Sequence, residues 1–238
     1  MRLPTTPRMA FTGRPLKRAL LALASCWAIA ATAQVPPDTA EQAAYAGALA
    51  AAWRGDVAAL AGASRAATAT RDGRGRTPLH VATFARQHGA IRALTKAGAD
   101  LGALENDRYD AVTIAAVAGD EATLAVLLEL GASAGLVTSR YDGTALIAAA
   151  HLGHAGVVTQ LIRAGAPLDH VNNLHWTALI EAVVLGDGGP RHQAVVLALL
   201  KAGASTRLTD REGRTPLQLA RARGYAAMTQ ALQAADAR

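Results

Sequence analysis

The sequence contains few aromatic residues and almost no cysteine. Phe, Trp and Tyr together make up 4% of its 238 residues, and Cys26 is its one cysteine. A single thiol excludes a disulfide framework within the chain and a structural zinc site with several cysteine ligands. Because large rings are scarce, the core must be packed from alanine and aliphatic side chains, which suits short helices that approach one another closely.

Motifs that indicate catalysis are also lacking. The segment Gly73-Arg-Gly-Arg76 has neither the Lys-Ser/Thr pair nor the preceding strand of a phosphate-binding loop, and no Gly-x-Ser-x-Gly sequence occurs. The seven histidines are scattered, without acidic residues that complete a ligand set at helical spacing. We therefore predict no enzyme activity, no cofactor and no metal. The alternative from another class is a metal-handling protein or hydrolase that uses His170, His175 and His192.

Residues 1–33 have the pattern of a secretory signal peptide. Arg14, Lys17 and Arg18 precede an uncharged, mainly apolar run over residues 19–31, which is too short for a membrane-spanning helix. The sequence Ala31-Thr-Ala33 then supplies the small-x-small site that a signal peptidase requires. We expect cleavage after Ala33, a periplasmic or secreted mature protein, and no membrane insertion once the signal is removed.

Cys26 offers an alternative to this cleavage. Leu23-Ala-Ser-Cys26 resembles a lipobox, in which the cysteine is acylated and becomes the mature N-terminus. The chain continues with the apolar Trp27-Ala-Ile sequence, however, whereas lipoproteins usually turn polar after the cysteine. Cleavage after Ala33 is therefore the favoured prediction, and a lipid anchor at Cys26 is the alternative.

The net charge of the chain depends on this signal segment. The whole sequence carries a formal charge of +6, but its first 33 residues contain five basic residues and no acidic one. The mature chain would have 19 basic and 18 acidic side chains, a net charge of +1. Such a balance gives no strong field for nucleic acid or anionic membranes, so neither is predicted as a partner.

One hexamer recurs five times along the chain. Its copies begin at intervals of 33, 34, 33 and 38 residues, which is typical of stacked repeats that cannot bury their apolar faces alone. Thr at the first position can cap a helix, and Pro at the second fits the first helical turn. We call the units that contain these hexamers the clear repeats. The hexamers occupy residues 77–82, 110–115, 144–149, 177–182 and 215–220.

The full pattern resembles the ankyrin repeat. Thr-Pro-Leu-His-x-Ala is followed by Gly-His or Gly-Asp, as at Gly153-His154, by two apolar residues, as at Leu127-Leu128, and by Gly-Ala-Asp, as at 98–100. The match runs from roughly Tyr45 to Gln233. The resemblance implies an all-α ankyrin-type solenoid of about six helix-turn-helix repeats with polar inter-repeat turns. It also implies structural roles for His80, bonded to the capping Thr, and for His154.

The repeats define the predicted domain organisation. The signal peptide (1–33) and a short lead-in (34–42) precede an ankyrin-repeat domain over 43–238. A degenerate first unit has predicted helices at 46–52 and 57–63, and polar Gln233 at an inward position indicates a terminal cap, so we expect the array to end there. In the fourth clear repeat, Gly186–His192 is five residues longer than its equivalents and predicts an enlarged loop. The repeat boundaries are 43–71, 72–104, 105–137, 138–171, 172–209 and 210–238.

The resemblance also indicates where a partner would bind. In that architecture, the turn tips and the exposed side of each first helix line a concave face. Tyr, Trp and Arg dominate binding hot spots, so Tyr109, Tyr141 and Trp176 are the predicted anchors. The predicted partner-binding residues are Arg76, Tyr109, Arg140, Tyr141, His175, Trp176 and Arg214. An apolar floor on the inner helices is predicted at Phe84, Val117, His151, Leu152, Val184 and Leu185, some of which could instead pack between repeats.

We therefore predict a monomeric, non-enzymatic protein-protein interaction module of the bacterial cell envelope. Its protein partner would bind on the concave face of the repeat stack. The alternative within the binding class is an immunity-type inhibitor of a secreted toxin, whose gene would be expected beside that of the toxin.

Overall fold

The computed structural model describes residues 34–237, so the predicted signal peptide and Cys26 lie outside the described residues. From Pro36 onward the chain forms one compact unit. Helices are its regular elements, and Thr138 and Gly143 form an isolated bridge in the third clear repeat. The helices are α1 Thr39–Ala44, α2 Gly47–Arg54, α3 Val57–Leu60, α4 Arg65–Thr68, α5 Pro78–Phe84, α6 His88–Lys96, α7 Ala111–Val117, α8 Glu121–Glu129, α9 Ala145–Leu152, α10 Ala155–Arg163, α11 Ala178–Val184, α12 Pro190–Lys201, α13 Pro216–Ala222 and α14 Ala226–Asp236.

Each clear repeat contributes an antiparallel pair of helices. The inner helices, α5, α7, α9, α11 and α13, pack on one another in sequence order, and each also packs against the outer helix that follows it. The outer helices, α6, α8, α10, α12 and α14, form the second layer. The all-helical solenoid expected from the sequence is thus confirmed.

The hexamers start the inner helices, as the sequence indicates. Their first residues are the N-caps of these five helices and have extended backbones. The Thr144 hydroxyl, for example, accepts a hydrogen bond from the Ile147 N–H at 3.4 Å. Pro78 and Pro216 occupy the first helical position, where a missing N–H has no cost. The alanines at the last position of the hexamers, such as Ala82 and Ala149, are fully buried and allow the helices to pack closely.

A continuous core runs between the two helical layers. Every outer helix of the clear repeats has at least one leucine or valine that is fully buried. Burial of an aliphatic side chain stabilises the fold by roughly 1.5–3 kcal/mol. Gln233, by contrast, is exposed at the position where the second, third and fourth clear repeats have half-buried aliphatic residues. No helix within residues 34–237 is long and apolar enough to cross a membrane. The fully buried outer-helix residues include Leu94, Leu124, Leu127, Leu161, Val195, Leu199 and Leu232.

The insertion in the fourth clear repeat differs from its prediction. It was expected as a loop through His192, but α12 begins at Pro190 and has 12 residues, whereas α8 and α10 each have 9. Gly189 is the N-cap, and Pro190 occupies the first helical turn, which proline favours. The extra residues therefore lengthen the helix as well as the loop before it.

The N-terminal part contains two short helices, α1 and α4, besides the pair of the degenerate unit. The lead-in contains α1, because Asp38 and Glu41 form a reciprocal capping box at its start. The second helix of the degenerate unit, predicted over 57–63, ends at Leu60 and is followed by the separate short helix α4. Glu41 of α1 and Tyr45, which directly follows α1, contact residues 72–76, just before the first hexamer.

Candidate binding face

The turn tips are the segments that precede the hexamers, at residues 72–76, 105–109, 138–143, 172–176 and 210–214. In four of them, one side-chain oxygen accepts hydrogen bonds from the N–H groups two and four residues later. The Asn172 amide oxygen, for example, accepts from Leu174 at 3.0 Å and Trp176 at 2.9 Å. Sequence reasoning missed these residues, although their signal is an Asp, Glu or Asn five positions before four of the five capping residues. They are Asp72, Glu105, Asn172 and Asp210.

Neighbouring turn tips are joined by backbone hydrogen bonds. The Asn106 N–H donates to the Arg74 carbonyl at 3.0 Å, and the Asn173 N–H donates to the Tyr141 carbonyl at 2.9 Å. Ion pairs add to this at the exposed edge, where Arg140 lies 3.0 Å from Asp107. Arg140 is therefore exposed as predicted, but its guanidinium already has an intramolecular partner. Exposed pairs contribute about 0–1 kcal/mol, so an external carboxylate could compete for it.

Arg76 is not an exposed binding residue, which corrects the expectation from the sequence. Its side chain is 1% exposed and lies 2.6 Å from Asp72 and 2.8 Å from Glu41 of α1. The Tyr45 hydroxyl donates to the same Asp72 carboxylate at 2.9 Å. Hydrogen bonding from Arg76 lowers the pKa of Glu41 to about 2 despite the opposing effect of desolvation. Arg76 thus holds α1 to the first turn tip.

Tyr109 is likewise buried and cannot be the exposed anchor that was expected. Its side chain is 8% exposed, its N–H donates to the Glu105 carboxylate at 3.0 Å, and its carbonyl oxygen lies 3.0 Å from His80 Nε2. Burial raises the pKa of its hydroxyl to about 12. Tyr109 is therefore tied through its backbone to its own turn tip and to His80 of the preceding repeat.

Four of the predicted tip residues lie where a partner could reach them, in addition to Arg140. His175 is exposed, in a left-handed conformation with φ of 64°, and Tyr141 and Trp176 are half-buried. The Trp176 ring also packs against the core, so its position is fixed from below. Arg214 is 52% exposed and pairs with Asp210 and Glu212 of its own turn.

The predicted floor is half-buried at most positions. Phe84, Val117, Leu152 and Leu185 each retain some exposed surface on or just after the inner helices. Val184 is the exception, because it is buried within the core between repeats, so it does not line an open floor. The apolar surface that a partner could contact is correspondingly narrower than the sequence suggested.

His151 belongs to a polar cluster at the junction of floor and turn tip. Its Nδ1 lies 3.1 Å from Glu181 Oε2, and the Asn172 amide donates to Glu181 Oε1 at 2.9 Å. Asn172 in turn accepts from the Trp176 N–H. Two residues that sequence reasoning did not select, Asn172 and Glu181, therefore connect His151 to Trp176. We call His151, Asn172 and Glu181 the polar cluster.

The histidines of the metal-site alternative do not form a ligand group. His170 Nε2 bonds to the Asp142 carbonyl at 2.6 Å, whereas His192 bonds to the His151 carbonyl and to Asp187, both at 2.9 Å. Residues 34–237 contain no group of three or more His, Cys, Asp or Glu side chains placed to hold a metal ion.

Comparison with known proteins agrees with the repeat geometry. Residues 112–210 match the family model for ankyrin repeats in three copies, and residues 74–106 match the model for a single ankyrin repeat. The chain is 37% identical over 169 residues to YahD of Escherichia coli K12, which is named as an ankyrin repeat protein; the match covers 71% of this chain and 84% of YahD.

Two solved structures extend this similarity to three dimensions. An ankyrin repeat domain from Acinetobacter baumannii AYE has a TM-score of 0.73 and 41% identity, covering 79% of this chain and 97% of that domain. The ankyrin repeat protein EF0377 has a TM-score of 0.72 and 30% identity, and the match covers 79% of this chain and 96% of EF0377. Both identities are high enough for the likeness to reflect more than a shared helical architecture.

Proposed function

The chain belongs to the ankyrin repeat family, whose members generally serve as protein-protein interaction modules, and we propose that it is a non-enzymatic module that binds a partner protein on its concave face. The centre of the binding surface lies on the third and fourth clear repeats. Tyr141, His175 and Trp176 occur there on adjacent turn tips, and Arg140 stands at their edge.

The observation that carries this proposal is the fixed position of Trp176. Its backbone N–H donates a hydrogen bond to the Asn172 amide oxygen, and its ring packs against the core. Part of its side-chain surface is still accessible to a partner. A large aromatic side chain that is already ordered loses little conformational entropy when a partner covers it. Trp and Tyr are also the types that contribute most to binding hot spots. Trp176 and Tyr141 are therefore the proposed anchors.

We propose that the protein is located in the bacterial cell envelope and that it is a monomer. The location is supported by the basic and apolar pattern of residues 1–33 and by the small-x-small sequence that ends at Ala33. Intact-mass measurement of the protein purified from its native host tests this directly. A mature chain that begins at Gln34 is expected, whereas an acylated chain that begins at Cys26 would establish a lipid anchor instead.

Site-specific photo-crosslinking in the native host tests the binding face. A photoreactive amino acid at position 141 should give a discrete adduct, whereas the same residue at position 197 should not, because Leu197 is 56% exposed on an outer helix. The crosslinked partner is identified by mass spectrometry and then titrated with purified variants. Trp176→Ala with Tyr141→Ala should weaken binding by at least roughly 100-fold, and Leu197→Ala should not. Adducts from position 197 alone, or unchanged affinity in the double variant, would refute the proposed face.

A further inference from the structure

We infer that the polar cluster is a subsite for a basic side chain, lysine or arginine, of the bound partner. This inference rests on the proposed function, because it assumes that a protein segment lies along the inner-helix floor. It adds the chemical class of residue that the segment must present at one position. His151 would receive the hydrogen bond, and Glu181 would supply the negative charge.

The hydrogen bonds around Glu181 determine how His151 faces the partner. An ionised carboxylate only accepts hydrogen bonds, so His151 Nδ1 must donate its proton to Glu181 Oε2 across the 3.1 Å that separates them. In the neutral ring, Nε2 then carries a lone pair. No group within residues 34–237 forms a hydrogen bond to this nitrogen. Nε2 is therefore an unused acceptor.

The two side chains differ in their access to solvent. That of His151 is 18% exposed, whereas that of Glu181 is 6% exposed. The imidazole ring is therefore the more accessible of the two side chains to a partner. A donor on a partner would bind the ring nitrogen directly and would be attracted by the negative charge of the carboxylate behind the hydrogen bond.

The charge of Glu181 lacks a fixed cation within the described chain. Glu181 is the one acidic residue on the five inner helices, and the equivalent positions hold Val81, Ile114, Ala148 and Leu219. The neutral ring of His151 gives it a hydrogen bond but no positive charge, and no Arg or Lys among residues 34–237 lies within ion-pair distance of it. A buried carboxylate is costly unless it is paired or fully hydrogen-bonded. An ammonium or guanidinium group that donates to Nε2 would give the cluster its missing positive charge.

The surrounding floor suits the rest of such a side chain. Leu152 follows His151 directly, and Leu185 is the C-cap of α11, which carries Glu181; both are apolar and half-buried. Lysine and arginine bury their methylene stems along apolar surface while their charged ends reach polar groups. The floor and the polar cluster together therefore match both parts of a basic side chain.

Glu181→Gln separates the charge of the cluster from its packing. A glutamine at this position retains the shape, and its amide oxygen can still accept from Asn172. Its NH₂ group would then donate to His151 Nδ1, which moves the ring proton to Nε2 and replaces the outward acceptor with a donor. Nitrogen-15 NMR of the histidine ring should therefore detect Nδ1–H in the wild type and Nε2–H in the variant.

The functional test is selection of peptides from a random displayed library on the immobilised mature protein. Peptides whose binding requires Tyr141 and Trp176 should be enriched in Lys or Arg at one position. A synthetic peptide selected in this way should bind Glu181→Gln at least roughly tenfold more weakly. The control variant Glu129→Gln, which removes an exposed acid on α8, should leave its affinity unchanged.

The outcomes separate this inference from the proposed function. Peptides that require Tyr141 and Trp176 but show no basic preference, or bind Glu181→Gln equally well, would overturn the subsite while leaving the binding face intact. Enrichment in Asp or Glu would also overturn it, because an acidic side chain needs an Nε2–H donor on His151 in place of the lone pair. Failure to obtain any peptide that depends on Tyr141 and Trp176 would count against the proposed binding face itself.

Discussion

His80 Nε2 lies 3.0 Å from the carbonyl oxygen of Tyr109, across the boundary between the first and second clear repeats. A carbonyl only accepts, so Nε2 carries the proton, and Nδ1 accepts from the Thr77 N–H at 3.1 Å. Each ring nitrogen of a neutral, buried imidazole is thus used. Desolvation lowers the pKa of His80 to about 4. His80 therefore links a helix cap to the next turn tip and does so in its uncharged form.

We predict that this contact makes stability depend on pH between about 6.5 and about 4. The unfolded chain, in which the pKa of His80 is 6.5, binds a proton in this range that the folded protein excludes. Because the unfolded state binds more protons, the free energy of unfolding should fall as the pH falls, by about 3 kcal/mol for this residue. Urea unfolding measured at several pH values checks the prediction.

His80→Gln is the matched control for this titration. The last clear repeat has Gln218 at the equivalent position, where its amide oxygen accepts from the Thr215 N–H at 2.9 Å. Glutamine can therefore retain the cap without titrating. The difference in unfolding free energy between wild type and variant should change across the range from pH 6.5 to 4, and a constant difference would contradict the assigned protonation state.

Arg76 and Arg214 occupy the same register but should differ in their effect on stability. Replacing Arg76 with methionine leaves Asp72 and Glu41 without their buried cation, which should cost roughly 3–5 kcal/mol. Replacing the half-exposed Arg214 with methionine should cost about 1 kcal/mol or less. Denaturant unfolding of the two variants measures both values, and equal losses would show that burial of Arg76 has no energetic consequence.

This pair also shows what the repeat pattern could predict and what it could not. Both arginines directly precede a hexamer, and this shared position in the repeat predicts that both side chains are exposed. Their burial differs because α1, a helix outside the repeat pattern, places Glu41 against Arg76. Tyr109 was also misjudged, since it directly precedes a hexamer as Arg214 does and yet is only 8% exposed.

The helix starts were predictable because each depends on residues close in sequence. A capping Thr or Asp and a buried Ala form one local unit, with a Pro after the capping residue in two copies, and all five copies begin inner helices. The polar cluster was not predictable in this way. His151 and Glu181 are 30 residues apart and lie on different inner helices, so their contact arises only when the repeats stack.

Asp110→Thr should stabilise the protein at neutral pH. Asp110 caps α7 by accepting from the Thr113 N–H at 2.9 Å, but its other carboxylate oxygen, Oδ2, is buried and has no hydrogen-bond partner within residues 34–237. Desolvation raises the pKa of this carboxyl group. Threonine, which caps the other four inner helices, retains an acceptor without the charge, and a gain of about 1 kcal/mol is expected in urea unfolding.

The gain from Asp110→Thr should shrink as the pH falls, because the folded wild type takes up the proton on this carboxyl group more readily than the unfolded chain does. Asp120→Thr provides the contrast. Asp120 caps α8 and also lies 3.2 Å from Arg86, and its hydrogen bonds and this cation lower its pKa. That substitution should destabilise the protein. A loss of stability in Asp110→Thr at neutral pH would contradict the assigned cost of the buried carboxylate.

Gly188 and Gly213 provide the test of the lengthened loop in the fourth clear repeat. Both have left-handed backbones, with φ of 72° and 75°, so alanine should cost each position about 1 kcal/mol. A Cβ on Gly188 would lie 2.5 Å from the ring of Tyr225, whereas one on Gly213 would meet nothing within 4 Å. Tyr225 cannot move freely, because its hydroxyl donates to the Gly186 carbonyl at 2.9 Å. Gly188→Ala should therefore lose about 1–3 kcal/mol more than Gly213→Ala in urea unfolding, as expected for overpacking. Equal losses would mean that the loop is not packed against the last clear repeat.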